Sequence, residues 1–513
     1  MSHPSERRKR VRKLATGIES FDLIAEGGLP QNRTTLVSGT AGSGKTVFAM
    51  QFLAAGIAAG ENGVFVTFEE PPRDVRQNMG SFGWNLEEWE QEGKLAMVDA
   101  SPDPEVEIVE SGSFDLGALL ARVENAVRRV GARRVSVDSL GAMFSQFSDQ
   151  SMVRRELFRI ASALKRMGVT AVMTAERTED YGPIARFGVE EFIADNVMVL
   201  RNVLGEERRR RTIEIMKFRG TGHQKGEFPF TIVENEGMVA IPLSSIQLRQ
   251  KSSDVRISSG SEELDTMCGG GFFRDSVILV SGATGTGKTL TVTQFLAGGA
   301  AVGERCLLLA FEESRDQFFR NARGWGMDFE RMEKDGMLRM VCDYPEVLGL
   351  EDWLVRIKQI IQEFRPKRVA LDSLSALERG GSMKTFREFV IGISSFIKHQ
   401  EITGLFTSTT ESLMGGASIT ESHISTLTDS IILLRYVEAF GEMKRGLTVL
   451  KMRGSFHDKD IREFTIDQDG MHLGRPFRHV TGILAGAPVH VSPGDIEHIW
   501  SQFDAERARR EQV

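Results

Sequence analysis

Two copies of a phosphate-binding loop occur in this chain of 513 residues. Gly39–Thr46 and Gly282–Thr289 both match the pattern G-x-x-x-x-G-K-[ST] in full. Each loop follows a short apolar run and precedes an amphipathic stretch, which predicts a strand, a glycine-rich loop and then a helix. In such a loop, backbone N–H groups and the helix N-terminus surround a triphosphate. We therefore expect ATP and Mg²⁺ to bind at both loops.

Each loop supplies a lysine for the outer phosphates and a threonine hydroxyl for Mg²⁺. The predicted nucleotide contacts are Gly42, Ser43, Gly44, Lys45 and Thr46 in the first copy, and Thr284, Gly285, Thr286, Gly287, Lys288 and Thr289 in the second.

The remainder of the chain repeats together with the loops. Glu70 and Glu313 lie at the same offset from the two loop lysines, and later landmarks such as Asp138 and Asp372 recur in the same order. Apolar runs alternate with helical patterns in both halves, which is typical of an α/β fold with a mostly parallel twisted sheet flanked by helices. The sequence predicts a first domain at 1–243, a linker at 244–253, a second domain at 254–486 and a tail at 487–513.

Composition limits the class of protein. Hydrophobic residues make up 41% and charged residues 26%, as in ordinary globular proteins. No apolar run is long enough to span a membrane, and the three cysteines show no pairing pattern, so we expect a cytoplasmic protein without a membrane segment. The net charge of −7 argues against general nucleic-acid binding.

Acidic residues follow the predicted strands at two places in each half. Asp138 and Asp372 each end an apolar run, where a carboxylate can hold Mg²⁺, although a helix-capping aspartate gives the same pattern. One glutamate pair follows the strand after each loop, and these pairs are either catalytic carboxylates or exposed acidic turns. Their recurrence favours catalysis by Glu69, Glu70, Glu312 and Glu313, with Glu312 also a candidate metal ligand.

A KxRG segment recurs late in each half. Read as strands, 217–223 and 451–457 put two cations, a hydroxyl and an imidazole on one face. Such a face suits contact with the ATP of a neighbouring subunit, whereas the alternative is a solvated edge strand. The candidate contacts are Lys217, Phe218, Arg219, Thr221, His223, Lys451, Met452 and Arg453.

These motifs, together with TMCGGGFF, YGPIAR and SHIST, resemble the KaiC family of RecA-like ATPases over about residues 16–488. The resemblance implies two tandem RecA-like P-loop domains and a homohexameric double ring with ATP between subunits. It implies a slow ATPase in the first half, and a serine/threonine autokinase and autophosphatase in the second, acting in a circadian or timing system. From the residues alone, the alternative is a RecA-type DNA-handling motor, against which the net charge argues.

The resemblance also assigns individual residues. It implies phosphorylation of Ser425 and Thr426, with Thr420 assisting, and nucleotide contacts by Ser81 and Trp325. From the residues alone, the paired hydroxyls are more typical of a turn, and Trp325 fits a core position nearly as well. The family's partner KaiB is compatible with the first ring. The tail differs from the family pattern, with Ile496, Trp500 and Phe503 on one helical face, which argues against KaiA binding.

Overall fold

The chain divides into two compact units, residues 1–245 and 246–513. The computed structural model describes residues 11–101, 116–141, 150–186, 188, 190–205, 208–241, 252–410, 424–439, 441–478, 480–481, 483 and 489–490. The linker and tail bounds predicted from the sequence stay predictions. Among the described residues, no helix is both long and apolar enough to span a membrane.

The first unit alternates strands and helices before ending in a series of strands. Its elements in chain order are β1 (Lys13–Leu14), α1 (Glu19–Ile24), β2 (Leu29–Pro30), β3 (Thr34–Gly39), α2 (Lys45–Ala58), β4 (Gly63–Thr67), α3 (Pro72–Gly80), α4 (Leu86–Gln91), β5 (Leu95–Asp99), α5 (Leu116–Val130), β6 (Arg134–Asp138), α6 (Gln150–Arg166), β7 (Thr170–Glu176), α7 (Glu190–Ile193), β8 (Asn196–Leu204), β9 (Arg209–Phe218), β10 (Glu227–Val233) and β11 (Gly237–Ala240).

The second unit repeats this series. Its elements are β12 (Arg256–Ile257), α8 (Glu262–Met267), β13 (Phe272–Phe273), β14 (Val277–Gly282), α9 (Lys288–Ala301), β15 (Cys306–Ala310), α10 (Arg315–Gly324), α11 (Phe329–Lys334), β16 (Leu338–Cys342), α12 (Leu350–Phe364), β17 (Arg368–Asp372), α13 (Leu374–Glu378), α14 (Met383–His399), β18 (Thr403–Thr409), β19 (Ser430–Ala439), β20 (Glu442–Met452), β21 (Arg462–Asp467), β22 (Gly470–Pro476), β23 (Val480–Thr481) and β24 (Val489–His490).

Each unit contains a nine-stranded sheet. The order is β11-β10-β9-β8-β3-β7-β6-β4-β5 in the first and β16-β15-β17-β18-β14-β19-β20-β21-β22 in the second, which is the same order read from the other edge. Six strands of each sheet run parallel, and the other three continue it as an antiparallel meander. The predicted α/β class with mostly parallel sheets is confirmed.

The parallel strands are apolar because helices cover both faces of the sheet. All six residues of β3 and all six of β14 are buried. In the first unit, one core lies between the sheet and helices α5 and α6, and a second core lies between the other face and helix α2. Strands buried on both faces give continuous apolar runs, which is the pattern visible in the sequence.

The strands predicted for the KxRG segments are wrong in extent. Strand β9 ends at Phe218 and strand β20 at Met452. Gly220 and Gly454 follow with φ angles of 75° and 70°, a left-handed backbone conformation that turns the chain. The two cations, the hydroxyl and the imidazole of each segment therefore do not share one face of a strand, as the sequence had predicted.

A buried arginine holds the loop helix against the sheet in each unit. Arg368 begins β17 and donates to the Phe295 carbonyl of α9 at 2.8 Å and to the Ser258 carbonyl at 2.7 Å. Its Nε donates to Glu304 at 2.8 Å, which neutralises the buried charge. Arg134 makes the same set of contacts in the first unit.

Close packing on Arg368 predicts an unusual effect of an alanine substitution. In helix α9, a Cβ on Gly299 would lie 2.5 Å from Arg368 Cδ and 2.8 Å from Cys306 Sγ. Gly299→Ala should therefore lower the thermal unfolding midpoint, as overpacking costs about 1–3 kcal/mol, although Gly→Ala in an open helix gains up to about 1 kcal/mol.

The matched control is Gly324→Ala at the end of α10, because a Cβ there meets no atom within 4 Å. Calorimetry on the full chain compares the two variants. A Gly299→Ala protein as stable as Gly324→Ala would contradict the packing argument.

Candidate functional site

The two phosphate loops leave room for an anion at the start of a helix. Gly44 and Gly287 precede α2 and α9 with φ angles of 91° and 109°, and no side chain caps either helix. The first helical N–H groups therefore stay open to a ligand. In the first loop, Ser43 Oγ is buried without a hydrogen-bond partner, which fits a phosphate oxygen.

Each loop lysine lies over its own loop. Lys45 Nζ donates to the Thr40 carbonyl at 3.1 Å, and Lys288 Nζ donates to the carbonyls of Gly282 and Ala283 at 2.8 and 3.0 Å. Burial lowers the pKa of Lys288, while the nearby Asp372 and Glu312 carboxylates oppose that shift. An ammonium held at this place is available to the outer phosphates of a nucleotide.

The loop threonine and the strand-end aspartate meet in both units. Thr46 Oγ1 donates to Asp138 at 2.6 Å, and Thr289 Oγ1 donates to Asp372 at 2.9 Å. The second oxygen of each carboxylate accepts from a threonine of the intervening strand, Thr174 in β7 or Thr407 in β18. Burial raises the pKa of both aspartates. The described residues form no cage of three or more His, Cys, Asp or Glu, but a hydroxyl and a carboxylate suit an Mg²⁺ shared with phosphates.

The glutamate pairs lie beside these aspartates, because β4 and β15 pair in parallel with β6 and β17. Glu69 accepts from Ser139 Oγ at 2.5 Å, and Glu70 accepts from an amide of Asn78 at 3.2 Å. In the second unit, Glu312 pairs with Arg379 at 2.9 Å, and Glu313 accepts from Asn321 at 2.9 Å.

Glu313 differs from the other three glutamates in its burial. It is half-buried, whereas the other three are exposed. Burial, and next the Asp372 charge, raise the pKa of Glu313. A carboxyl group with a raised pKa is a better proton acceptor, which favours Glu313 as a base.

The KxRG cations hold the turn before β8 or β19. Lys217 Nζ donates to the carbonyls of Glu191 and Ala194 at 2.9 and 2.8 Å, and Arg219 lies 3.7 Å from Asp195. In the second unit, Lys451 Nζ donates to the Thr428 carbonyl at 2.6 Å, and Arg453 Nη2 donates to the Thr426 carbonyl at 2.9 Å. The structure therefore places the KxRG cations of the second unit beside the predicted phosphorylation segment.

The other predicted contacts lie in different environments. Phe218 and Met452 are core residues, 8% and 6% exposed. His223 lies 5.5 Å from the Phe218 ring, and Thr221 is half-buried. Ser81 Oγ donates to the Asn78 carbonyl at 2.7 Å on the surface. Trp325 is half-buried and packs on the core of the second unit.

The predicted acceptor segment is only partly described. Residues Ile424–Thr426 form a short 3-10 helix, and the Thr426 side chain is exposed. The Ser425 side chain and Thr420 lie outside what the structure describes, as does the predicted helical face of the tail.

Two arginines beside the phosphate loops were missed by the sequence analysis. Arg211 Nε donates to the Gly42 carbonyl at 3.1 Å, and Arg445 Nε donates to the Gly285 carbonyl at 3.4 Å. They occupy equivalent places in β9 and β20, opposite Asn202 and Tyr436 respectively. Alignment of the two halves would have paired them, which is the signal that could have found them.

Comparison with known proteins gives a match to a family model described as "ATPase: KaiC", over residues 14–245 and again over 257–476. The circadian clock protein KaiC3 of Synechocystis sp. is 66% identical over 494 residues, covering 96% of this chain and 98% of that relative. The circadian clock oscillator protein KaiC of Thermostichus vulcanus is 58% identical over 493 residues, covering 96% and 95%. Circadian clock oscillator protein KaiC 1 of Synechocystis sp. is 56% identical over 492 residues, covering 96% and 94%.

The Thr289–Asp372 contact predicts a magnesium-dependent defect. Thr289→Val keeps the side-chain shape but removes the hydroxyl, so ATP affinity in Mg²⁺ should fall about tenfold or more. A Lys45→Ala background limits the measurement to the second loop, and titration of a fluorescent nucleotide with and without Mg²⁺ gives the affinities.

Thr289→Ser keeps the hydroxyl and should retain the magnesium effect. Equal affinity of Thr289→Val and the unsubstituted protein in Mg²⁺ would remove Thr289 from the metal site.

Proposed function

This chain belongs to the KaiC family of ATPases, and we propose that it is a serine/threonine autokinase and autophosphatase that assembles as a homohexameric ring in a timing system. We place ATP and Mg²⁺ at both loops and assign the chain to the cytoplasm, with a KaiB-like protein as a candidate partner of the first ring. The family membership favours this function over the DNA-handling motor.

The observation that carries the kinase proposal is the contact of Arg453 with the Thr426 carbonyl. An arginine is well suited to bind nucleotide phosphates. Here Arg453 contacts a segment that has two adjacent hydroxyls, those of Ser425 and Thr426. The equivalent places in the first unit are Glu191 and Phe192, which have no hydroxyl. Autophosphorylation is therefore proposed for the second unit alone.

Distance along the sheet supports transfer between subunits. Strand β19 runs parallel to β14, with Ser430 opposite Ile278 and Leu434 opposite Gly282. The acceptor turn precedes β19, so it lies at the amino-terminal end of these parallel strands, whereas its own phosphate loop lies at the carboxyl-terminal end. Five residues of strand span roughly 13 Å or more, whereas in-line attack needs reacting atoms about 3–3.5 Å apart. We infer that the acceptor meets the ATP of a neighbouring subunit.

In the proposed chemistry, the protein mainly positions the acceptor hydroxyl and neutralises the negative charge on the transferred phosphoryl group. Bound Mg-ATP supplies the transferable phosphoryl group. Glu312 or Glu313 accepts the proton of the acceptor hydroxyl as its oxygen forms the bond to phosphorus and the bond to the ADP oxygen breaks. Lys288 stabilises the negative charge on the phosphate oxygens, and Lys451 and Arg453 from the neighbouring subunit hold the acceptor turn.

The kinase proposal predicts where phosphate is found after incubation with Mg-ATP. Intact mass and phosphopeptide mapping should place phosphate on Ser425 and Thr426, and the Ser425→Ala/Thr426→Ala protein should stay unlabelled. Removal of a catalytic base typically costs about 10²–10⁴ in rate, so Glu312→Gln or Glu313→Gln should reduce incorporation by that range.

Glu69→Gln is the matched control in the first unit and should label normally. Label persisting in the double alanine variant would rule out these two acceptors, and full label in both glutamine variants would rule out the glutamate base.

The ring proposal predicts rescue between subunits. Lys288→Ala loses its own nucleotide contact and Arg453→Ala loses the contribution to its neighbour, so mixed rings should contain some complete sites. Phosphate incorporation should exceed the average of the two pure variants, and light scattering with ATP should give a hexamer.

The control is each variant carried alone through the same subunit-exchange procedure. Incorporation equal to the average, or a monomer in the presence of ATP, would contradict sites shared between subunits.

A further inference from the structure

Thr40, the second residue of the first phosphate loop, connects the loop lysine to an acid outside the loop. Its carbonyl accepts a hydrogen bond from Lys45 Nζ at 3.1 Å. Its hydroxyl donates to Asp180 Oδ1 at 2.8 Å. The place of the lysine ammonium therefore depends, through a single residue, on a carboxylate that lies 140 residues farther along the chain than Thr40.

Asp180 is itself held in place. The same Oδ1 atom accepts from the backbone N–H of Asn202 in β8 at 3.0 Å. The backbone carbonyl of Asp180 accepts from Arg201 Nε at 3.1 Å, and Arg177 holds the turn that follows by donating to the Gly182 carbonyl at 2.9 Å. Asp180 is also half-buried, which limits competition by water. The carboxylate is thus a fixed acceptor that can orient the Thr40 hydroxyl.

Two further side chains hold the carbonyls of the same loop. Asn202 Nδ2 donates to the Ala41 carbonyl at 3.4 Å, and Arg211 Nε donates to the Gly42 carbonyl at 3.1 Å. Because the peptide group is planar, a donor that fixes a carbonyl also fixes the N–H of the next residue. Those N–H groups are the ones that a phosphate-binding loop directs at its ligand. The contacts from outside the loop therefore preorganise the groups that bind phosphate.

The second unit anchors its lysine differently. Ala283 stands where the first loop has Thr40, so this place has no hydroxyl. Lys288 Nζ donates to the carbonyls of Gly282 and Ala283 at 2.8 and 3.0 Å. The link from the lysine through a hydroxyl to a carboxylate is therefore a property of the first unit.

We propose that Asp180 is a positioning residue for ATP hydrolysis in the first unit, where it orients Thr40 and Thr40 orients the Lys45 ammonium. The role rests on the proposed ATP site of the first loop and is independent of the autokinase function. During hydrolysis, a water oxygen forms the bond to the terminal phosphorus as the bond to the ADP oxygen breaks, and a glutamate of the 69–70 pair accepts the water proton. Lys45 neutralises the negative charge on the phosphate oxygens.

Loss of the link should affect the rate of hydrolysis more than the binding of ATP. Without Asp180, Lys45 keeps its charge and still attracts the phosphates of bound ATP. It no longer has a fixed place, so it stabilises the transition state less well, and a displacement of about 1 Å can cost about 10² in rate.

ATP hydrolysis in a Lys288→Ala background tests this role in the first unit. Asp180→Ala removes the acceptor, and Thr40→Val removes the hydroxyl while keeping the side-chain shape. Each should lower kcat about 10–100-fold, with KM and the affinity for a fluorescent nucleotide changed less than about threefold. The combined variant should be no slower than the slower single variant, because both substitutions remove the same link. Asp180→Asn and Thr40→Ser keep an acceptor and a hydroxyl, so they should retain most of kcat.

Asp22→Ala is the matched control for a loss of local hydrogen bonds. Asp22 is half-buried in α1 and accepts from the hydroxyl of Thr16 at 2.8 Å and from its backbone N–H at 3.0 Å. This variant should lower the thermal unfolding midpoint without a selective fall in kcat.

The proposal is overturned if Asp180→Ala lowers kcat no more than Asp22→Ala, if Thr40→Val hydrolyses ATP at the full rate, or if the effects of the two substitutions multiply. Should Asp180→Ala fail to fold, the comparison of Thr40→Val with Thr40→Ser decides. If the Lys288→Ala protein itself binds no nucleotide, the ATP site of the first loop is wrong, and the role of Asp180 is overturned with it.

Discussion

The hydrogen bond between the loop threonine and the strand-end aspartate joins the parts of each unit that make a nucleotide site. Thr46 lies in the first turn of the loop helix and Asp138 ends β6, a strand separated from the loop strand β3 by β7. The bond therefore requires the full parallel order, with Thr174 of β7 fixing the second carboxylate oxygen. Arg134 ties the other end of β6 to the same helix. Because the strand is fixed to the helix at both ends, a shift of either element moves the proposed metal ligands Thr46 and Asp138.

The parallel part of the fold could be predicted from the sequence, since its strands are buried on both faces and give continuous apolar runs. The apolar run that ends at Asp138, for example, is strand β6, Arg134–Asp138. The KxRG segment could not be predicted in the same way. Alternation of polar side chains suggests a strand, but the left-handed backbone of Gly220 and Gly454 ends it. A residue pattern carries no direct information on the sign of φ at a glycine.

The residues of the candidate site also differ in whether the sequence could predict them. The loop residues, the aspartates and the glutamate pairs were visible because each is a local motif at a strand end. Arg211 and Arg445 were not visible, because they reach the loops through the register of an antiparallel hairpin. Ser425 and Thr426 came only from the resemblance, since adjacent hydroxyls before a strand are common in turns. Comparison of the two halves carries information that neither half contains alone.

The duplicated units differ where charge must be compensated. The segment before β8 has Glu191 and Phe192, whereas the segment before β19 has Ser425 and Thr426 at the equivalent positions. In the adjacent hairpin, Glu214 and Glu227 form ion pairs with Arg201, whereas Thr448 and Ile461 stand at the equivalent positions of the second unit. Both differences remove a fixed negative charge from the second unit. A phosphate carries roughly −1.5 to −2 charge at neutral pH, so a site from which carboxylates are missing has the electrostatic capacity to accept one.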